Sequence, residues 1–295
     1  MTYVQIVIVG ILVGTLWGVL GLGKQLILGK LRFVNFAHAN FALIGMYLMY
    51  YLWSWTKTNP YVWVPVVVIV TGALGLLLER PIVRPLVRRG ERAQIVATLA
   101  LLTLIQNIAN LWMGPGDKDV STSLDSSGWH LIGHSVFVTK NEVFTFVICV
   151  VAFVLVWWIM ERTSFGLRVR ATAQARESGI YCGIDVERVY GRAFALTIAL
   201  AGLVGALYAI DTPVNPNAAT PLLILMFVVP ILGGLGSLTG ALLGGAIVGI
   251  LQGLTTQVLP PQLENSVIYV VFLIVLLTRP QGLIGSRAAL FRRAT

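Results

Sequence analysis

The chain has 295 residues, 57% of them hydrophobic and 11% charged, with a formal net charge of +9. Soluble domains carry about 25% charged residues, so this chain cannot cover a globular surface with charge, and the composition excludes an ordinary soluble domain. Its basic residues sit in short loops between apolar runs, which points to a membrane surface and not to nucleic acid.

A bilayer span needs about 20 mostly apolar residues. The first such run, MTYVQIVIVGILVGTLWGVLGLG, has no Lys or Arg ahead of it and no small-x-small cleavage site, so it reads as a retained span and not a signal peptide. Spans are expected at 3–23, 35–53, 61–79, 94–113, 142–160 and 192–210. The stretch 222–254 is too long for one crossing and is interrupted by GGLGSLTGALLGG, which predicts two short spans or a re-entrant hairpin. A last span covers about 266–278. The expected fold is an all-α polytopic integral membrane protein, a single transmembrane domain over 1–295, with eight or nine transmembrane helices, some broken or re-entrant.

Orientation follows from Lys and Arg in short loops. With the N-terminus outside and the C-terminus inside, 18 basic residues fall on inner segments and three (Lys57, Lys118 and Lys140) on outer ones. The inner group includes Lys24, Lys30 and Arg32, on the assumption that 24–34 is a simple loop. Glu79 and Arg80 at an inner span edge are expected to form a local ion pair.

Small residues mark close helix packing. Gly10, Gly14 and Gly18 repeat every four residues, as do Gly236, Gly240 and Gly244, and Gly245, Gly249 and Gly253. Such ribbons let backbones approach in lipid, here within the chain or against a second membrane subunit. Gly233, Gly234 and Gly236 also permit unwound backbone, which a membrane tolerates only when it is buried or lines a cavity. Cys149 lies in an apolar run and Cys182 in a basic loop, so no disulfide is expected between them.

Polar residues inside spans face a bundle interior or a cavity. Asn35, His38 and Asn40 interrupt FVNFAHANFALIGMY. Asn35 and His38 share a helical face; Asn40 joins them only if the helix breaks near Ala37–Ala39. Discontinuous helices often mark transporter sites. These residues, with Phe36, either line a pathway or bridge helices. Thr103, Gln106, Asn107 and Asn110 form one face of the fourth span, expected to bond between helices, with Gln106 and Asn107 as pathway candidates. No metal site is expected: His130 and His134 in the outer loop 114–141 have ligand spacing only on a helix, and their flanks read as strand. Asp211, Pro213, Asn215 and Pro216 form a shorter outer turn.

The longest inner connection, 161–192, reads ERTSFGLRVRATAQARESGIYCGIDVERVYGR. A short helix is expected over about 165–178, with Ser164 as N-cap. Its basic residues alternate with small ones, which suits either a groove on a cytosolic partner or contact with anionic lipid. The chain has no G-x-x-x-x-G-K-[ST] phosphate loop, so it is not expected to hydrolyse ATP.

An ordered set of segments resembles the permeases of branched-chain amino-acid ABC importers, of the LivH type. These are Val34-Asn35-Phe36-Ala37-His38; Glu79-Arg80 with Arg84-Pro85-Leu86; Ala97-Thr98 and Gln106-Asn107; Gly166 with Arg170, Ala171, Ala173, Gly183 and Ile184; Leu232 to Ser237 with Gly240 and Ala241; and Pro280, Gly282 and Leu283. The resemblance implies a non-enzymatic subunit of a bacterial inner-membrane importer. It implies a second, related but different permease, two cytosolic ABC ATPases that use ATP and Mg, and a periplasmic substrate-binding protein. No cofactor is bound by the chain itself. Gly166, Arg168, Arg170, Ala171, Ala173, Glu177, Gly183 and Ile184 would form the ATPase-coupling element. Gly233, Gly234, Gly236, Ser237 and Gly240 would form a gate or packing element. The cargo implied is a branched-chain amino acid or a related neutral, amide or aromatic solute. Ala39-Asn40 stands where the family pattern has Gly-Glu, so a carboxylate near the pathway is missing. A stand-alone secondary transporter or channel is the competing class, and a membrane-embedded enzyme is a third.

Overall fold

The computed structural model describes residues 3–31, 33–122, 128–131, 136–260, 263–279 and 282–283. The chain divides into two units, one drawn from 1–25, 123–153 and 224–295, the other from 26–122 and 154–223.

In the first unit, α1 (Tyr3–Lys24) lies along α11 (Leu238–Val258). The glycine ribbons explain this pairing. A Cβ on Gly10 would sit 2.8 Å from the Ile250 Cα, and one on Gly14 2.6 Å from the Gly245 carbonyl oxygen. Backbones this close leave no room for a side chain, and in lipid such contact replaces the hydrophobic drive. The two ribbons therefore serve packing within the chain. Trp17 Nε1 donates to Gln252 Oε1 at 2.5 Å across the same seam. The long apolar stretch resolves into α10 (Ala219–Gly233) and α11, joined by a non-helical turn, with α12 (Glu264–Thr278) packed on α11. The hairpin β1 (Gly128–Leu131) and β2 (Val136–Thr139) precedes α6 (Lys140–Arg162). His130 sits in β1 opposite Phe137, so helical ligand spacing does not apply to it; His134 lies outside the described residues.

The second unit is built on α9 (Val186–Asp211), flanked by α2 (His38–Thr56) and α3 (Val64–Leu78). Glycines again set the approach: a Cβ on Gly45 would meet the Gly202 Cα at 2.8 Å, and one on Gly75 the Ala195 Cα at 2.7 Å. After α3 the chain makes a π-helical turn, Glu79–Val83, into α4 (Arg84–Arg89), then α5 (Glu91–Met113). The basic connection forms α7 (Ser164–Gln174) and α8 (Arg176–Tyr181).

Six helical stretches among the described residues are long and apolar enough to cross a membrane: 3–29, 60–89, 91–113, 140–162, 186–211 and 238–258. α10 and α12 are apolar but shorter.

Four expectations change. Residues 24–34 are no simple loop: Gln25–Lys30 continue α1 as a π-helical stretch, and Lys24 is fully buried, its Nζ 3.9 Å from the Phe227 ring centroid. With Lys24, Lys30 and Arg32 set aside the charge asymmetry is still 15 to three. Arg32, Arg287, Arg292 and Arg293 lie outside the described residues. Glu79 pairs with Arg84 at 2.8 Å, and not with Arg80, because adjacent helical residues point apart while the wider π-turn brings i+5 beneath. Gly191 on α9 leaves the space that Glu79 fills. In the basic connection Thr163, not Ser164, caps α7, its Oγ1 accepting from Gly166 N at 3.3 Å. The expected 165–178 helix also breaks, at Ala175 (φ −151°, ψ 98°).

Candidate functional site

Residues 33–37 are not helical, so their backbone N–H groups need other partners. One face of α5 supplies them. Gln94 Oε1 accepts from Val34 N at 3.0 Å, and Thr98 Oγ1 accepts from Phe36 N at 3.2 Å. One turn further on, the Leu102 carbonyl accepts from Asn40 Nδ2 at 2.6 Å. Residues 94, 98 and 102 recur every four positions, which is how one helix can follow an extended strap. Asn35 Oδ1 accepts from Ala37 N at 3.0 Å and closes the turn into α2. Tyr190 Oη donates to the Leu31 carbonyl at 2.8 Å from the α9 side. Phe33 and Phe41 stand edge-on to Phe194, with centroids 6.3 and 6.0 Å away. Each buried N–H left without a partner would cost about 1–3 kcal/mol, so the polar side chains make the break tolerable.

Asn35, His38 and Asn40 are all buried and Phe36 half-buried. The helix begins at His38, so the expected break falls at Ala37, before the histidine. Gln94, Tyr190 and Phe194 belong to the same assembly but were absent from the sequence-based set, and Thr98 entered it only as part of the Ala97-Thr98 resemblance.

Gln106 and Asn107 lie past this clasp on α5. Gln106 Nε2 donates to Asn217 Oδ1 at 3.0 Å. Thr103, Asn107 and Asn110 bond only to carbonyls of their own helix, among the hydrogen bonds of the described residues, and are exposed. The expected interhelical bonding is not seen for these four: Gln106 reaches the turn before α10, and the other three bond within α5. Beyond α5, Lys118 and Val214 exchange backbone bonds and Asn215 Nδ2 donates to Asp117 Oδ1 at 2.8 Å. The turn 211–216 is therefore pinned to the segment just after α5.

The basic connection is folded back on α6. A Cβ on Gly166 would lie 2.6 Å from the Ile159 carbonyl oxygen, so only glycine fits. Arg170 donates to the Met160 carbonyl and stands 3.3 Å from Glu161. Val169 and Thr172 face inward, Ala171 and Ala173 are half-buried, and Arg168 points out. Gly183 takes φ 77°, and Ile184 N bonds back to the Gly179 carbonyl at 3.0 Å. A cavity of about 390 Å³ follows, with Phe165, Arg168, Cys182, Ile184, Arg188 and Arg192 in its wall. Leu167, Ile180 and Tyr181 are exposed beside these charges, Tyr181 at 89%; the sequence reading passed over them. Glu177 falls in α8, and its side chain lies outside the described residues.

The glycine cluster forms the α10–α11 turn. Gly234 and Gly236 have φ of 95° and 93°, conformations that favour glycine. Gly233 stays helical and packs against Gly240. Ser237 caps α11, its Oγ accepting from Gly240 N at 3.0 Å. Gln25 holds the turn from α1: its Nε2 donates to the Gly234 carbonyl at 2.8 Å, and its Oε1 accepts from Gly236 N at 2.5 Å. Gln25 is another residue that pattern alone did not single out.

The family described as "Branched-chain amino acid transport system / permease component" matches residues 6–276. The chain is 27% identical to BraD, a high-affinity branched-chain amino acid transport system permease protein of Pseudomonas aeruginosa, over 96% of each chain. It is 24% identical to the LivH permease protein of Escherichia coli strain K12, over 94% of this chain and 93% of that one. The LivM permease protein of Salmonella typhimurium matches at 25% identity over 90% of this chain and 67% of its own. No solved structure matches. The match runs through α1, the α2–α5 clasp, the basic connection and the α10–α11 turn, and the chain belongs to the family of branched-chain amino acid transport system permease components.

Proposed function

We propose that the chain is a membrane-spanning permease subunit of an ATP-driven importer, working by alternating access on branched-chain amino acids or related small neutral, amide or aromatic solutes. The observation that carries this reading is the basic connection. It is a capped helix locked to α6 through Gly166 and Arg170, presenting Arg168 with exposed Leu167, Ile180 and Tyr181. A rigid lever of this kind suits a cytosolic ATPase better than a loosely solvated loop does.

On this reading the N-terminus is outside and the chain is multi-pass in the bacterial inner membrane. α2 and the shorter α10 and α12 join the six long helices to give nine crossings, the odd number that termini on opposite sides require. The open polar face of α5 cannot face lipid cheaply. It lines the pathway opposite a second permease, a related but different chain, as the match to both LivH-type and LivM-type relatives supports. Asn35, Phe36, His38 and Asn40 control how α2 meets α5 beside that face. A substrate-binding protein delivers cargo, and two ATPases bind ATP and Mg.

The test is uptake by proteoliposomes containing the complete complex. Ala171→Glu should cut ATP-dependent leucine uptake at least tenfold while ATP hydrolysis by the complex persists. Normal uptake in that variant would remove the coupling role.

A further inference from the structure

We propose that the arginine cleft at the end of α3 holds the phosphate of an anionic phospholipid. The cleft, of about 450 Å³, is lined by Arg80, Arg84, Pro85, Arg88, Arg89 and Glu187. The run from Val64 to Arg89 passes through the π-helical turn 79–83, and Arg80, Arg84 and Arg88 recur every fourth residue along it. Arg84 is paired with Glu79 at 2.8 Å and Arg88 with Glu187 at 2.6 Å. Arg80 and Arg89 enter none of the ion pairs among the described residues, and both are exposed. Two guanidinium groups are therefore held in place by carboxylates, while two remain to take an anion. Guanidinium forks match phosphate oxygens bidentately.

Charge alone would serve a free phosphate or an acidic protein surface equally well. The helix itself selects between them. Directly before the cleft, α3 exposes Ile69, Leu76 and Leu77, at 69%, 51% and 72%. An apolar ridge that ends in a guanidinium cage is complementary to a molecule with acyl chains and an anionic head. Basic pockets at the membrane surface bind anionic lipid in this way. The proposal rests on the orientation proposed above only for the leaflet that supplies the lipid.

The experiment uses the full-length chain with whatever subunits accompany it, in nanodiscs of phosphatidylcholine with or without phosphatidylglycerol, and counts retained lipid by native mass spectrometry. The wild type should retain phosphatidylglycerol in preference to phosphatidylcholine, and that preference should fall with added salt. Arg80→Gln/Arg89→Gln should weaken retention about 25-fold, roughly fivefold for each arginine. Arg92→Gln, outside the cleft, should leave it unchanged. Equal retention by the double variant would overturn the proposal, as would a wild type indifferent to headgroup charge. Displacement of the lipid by millimolar phosphate or ATP would assign the cleft to a soluble anion instead. Loss of bound ATPase in the double variant with lipid retention intact would assign it to a protein partner. Since lipid is counted on the chain itself, a missing ATPase would sink the importer reading and leave the lipid result standing.

Discussion

Asn40 shows how one amide separates this chain from the pattern it resembles. Its Nδ2 donates to the Leu102 carbonyl at 2.6 Å in a nearly buried position. A carboxylate has no proton to give there, so a Glu or Asp would set negative charge against a carbonyl oxygen. Asn40→Asp should therefore cost about 2–4 kcal/mol, seen as a fall in apparent melting temperature in detergent; an unchanged melting curve would contradict the bond. The sequence made Asn35, His38 and Asn40 conspicuous because amides and imidazole stand out in an apolar run. It did not reveal Gln94 or Gln25, whose partners are backbone atoms of residues 34, 234 and 236, far away along the chain. No periodicity records a side chain that bonds to distant backbone. Phe194 and Tyr190 were hidden differently: Phe194 read as ordinary core on an apolar span, and Tyr190 fell within the basic connection 161–192.

At the scale of helices, glycine spacing was legible because its cause is local in sequence. The α1–α11 seam follows from repeats of four in both partners. The α2–α9 and α3–α9 seams were not foreseen, since Gly45, Gly72 and Gly75 are scattered among larger residues. Their contacts yield a graded prediction. A Cβ on Gly75 meets the Ala195 backbone at 2.7 Å, whereas one on Gly72 meets only the Ala195-side neighbour Ala199, at its Cβ, at 3.3 Å. Gly75→Ala should force α3 from α9 and cost about 1–3 kcal/mol; Gly72→Ala should cost less than about 1 kcal/mol. Thermal denaturation of the two variants checks the order, and equal stability would mean the seam is misplaced. The breaks in helices were only half legible. Glycines marked the α10–α11 turn, but nothing in ERPIVR announced a π-helical turn, because it depends on Glu79 reaching Arg84 and on the room left by Gly191.

At the scale of the whole molecule, composition and charge distribution carried most of the information. The 18-to-three division of basic residues falls only to 15 to three when Lys24, Lys30 and Arg32 are set aside. The two native cysteines provide a direct check of the orientation. Cys149 is buried and Cys182 exposed on the basic connection. A membrane-impermeant maleimide should label Cys182 in inverted membrane vesicles and leave the chain unlabelled in intact spheroplasts. Labelling in spheroplasts would reverse the topology and rule out the proposed coupling role of the basic connection. What no sequence pattern could supply is the partner set, because the faces that meet other chains look in isolation like lipid-facing or solvated surface.

The central claim is that this permease is driven by ATPases it does not itself contain. The most direct measurement is gentle-detergent purification of the chain from its native membrane, with quantitative mass spectrometry of what accompanies it. The account predicts a second, different permease chain and two copies of an ABC ATPase for each copy of this one. A clean homo-oligomer with no ATPase, reproduced in several detergents, would contradict it and make the chain a carrier or channel acting alone.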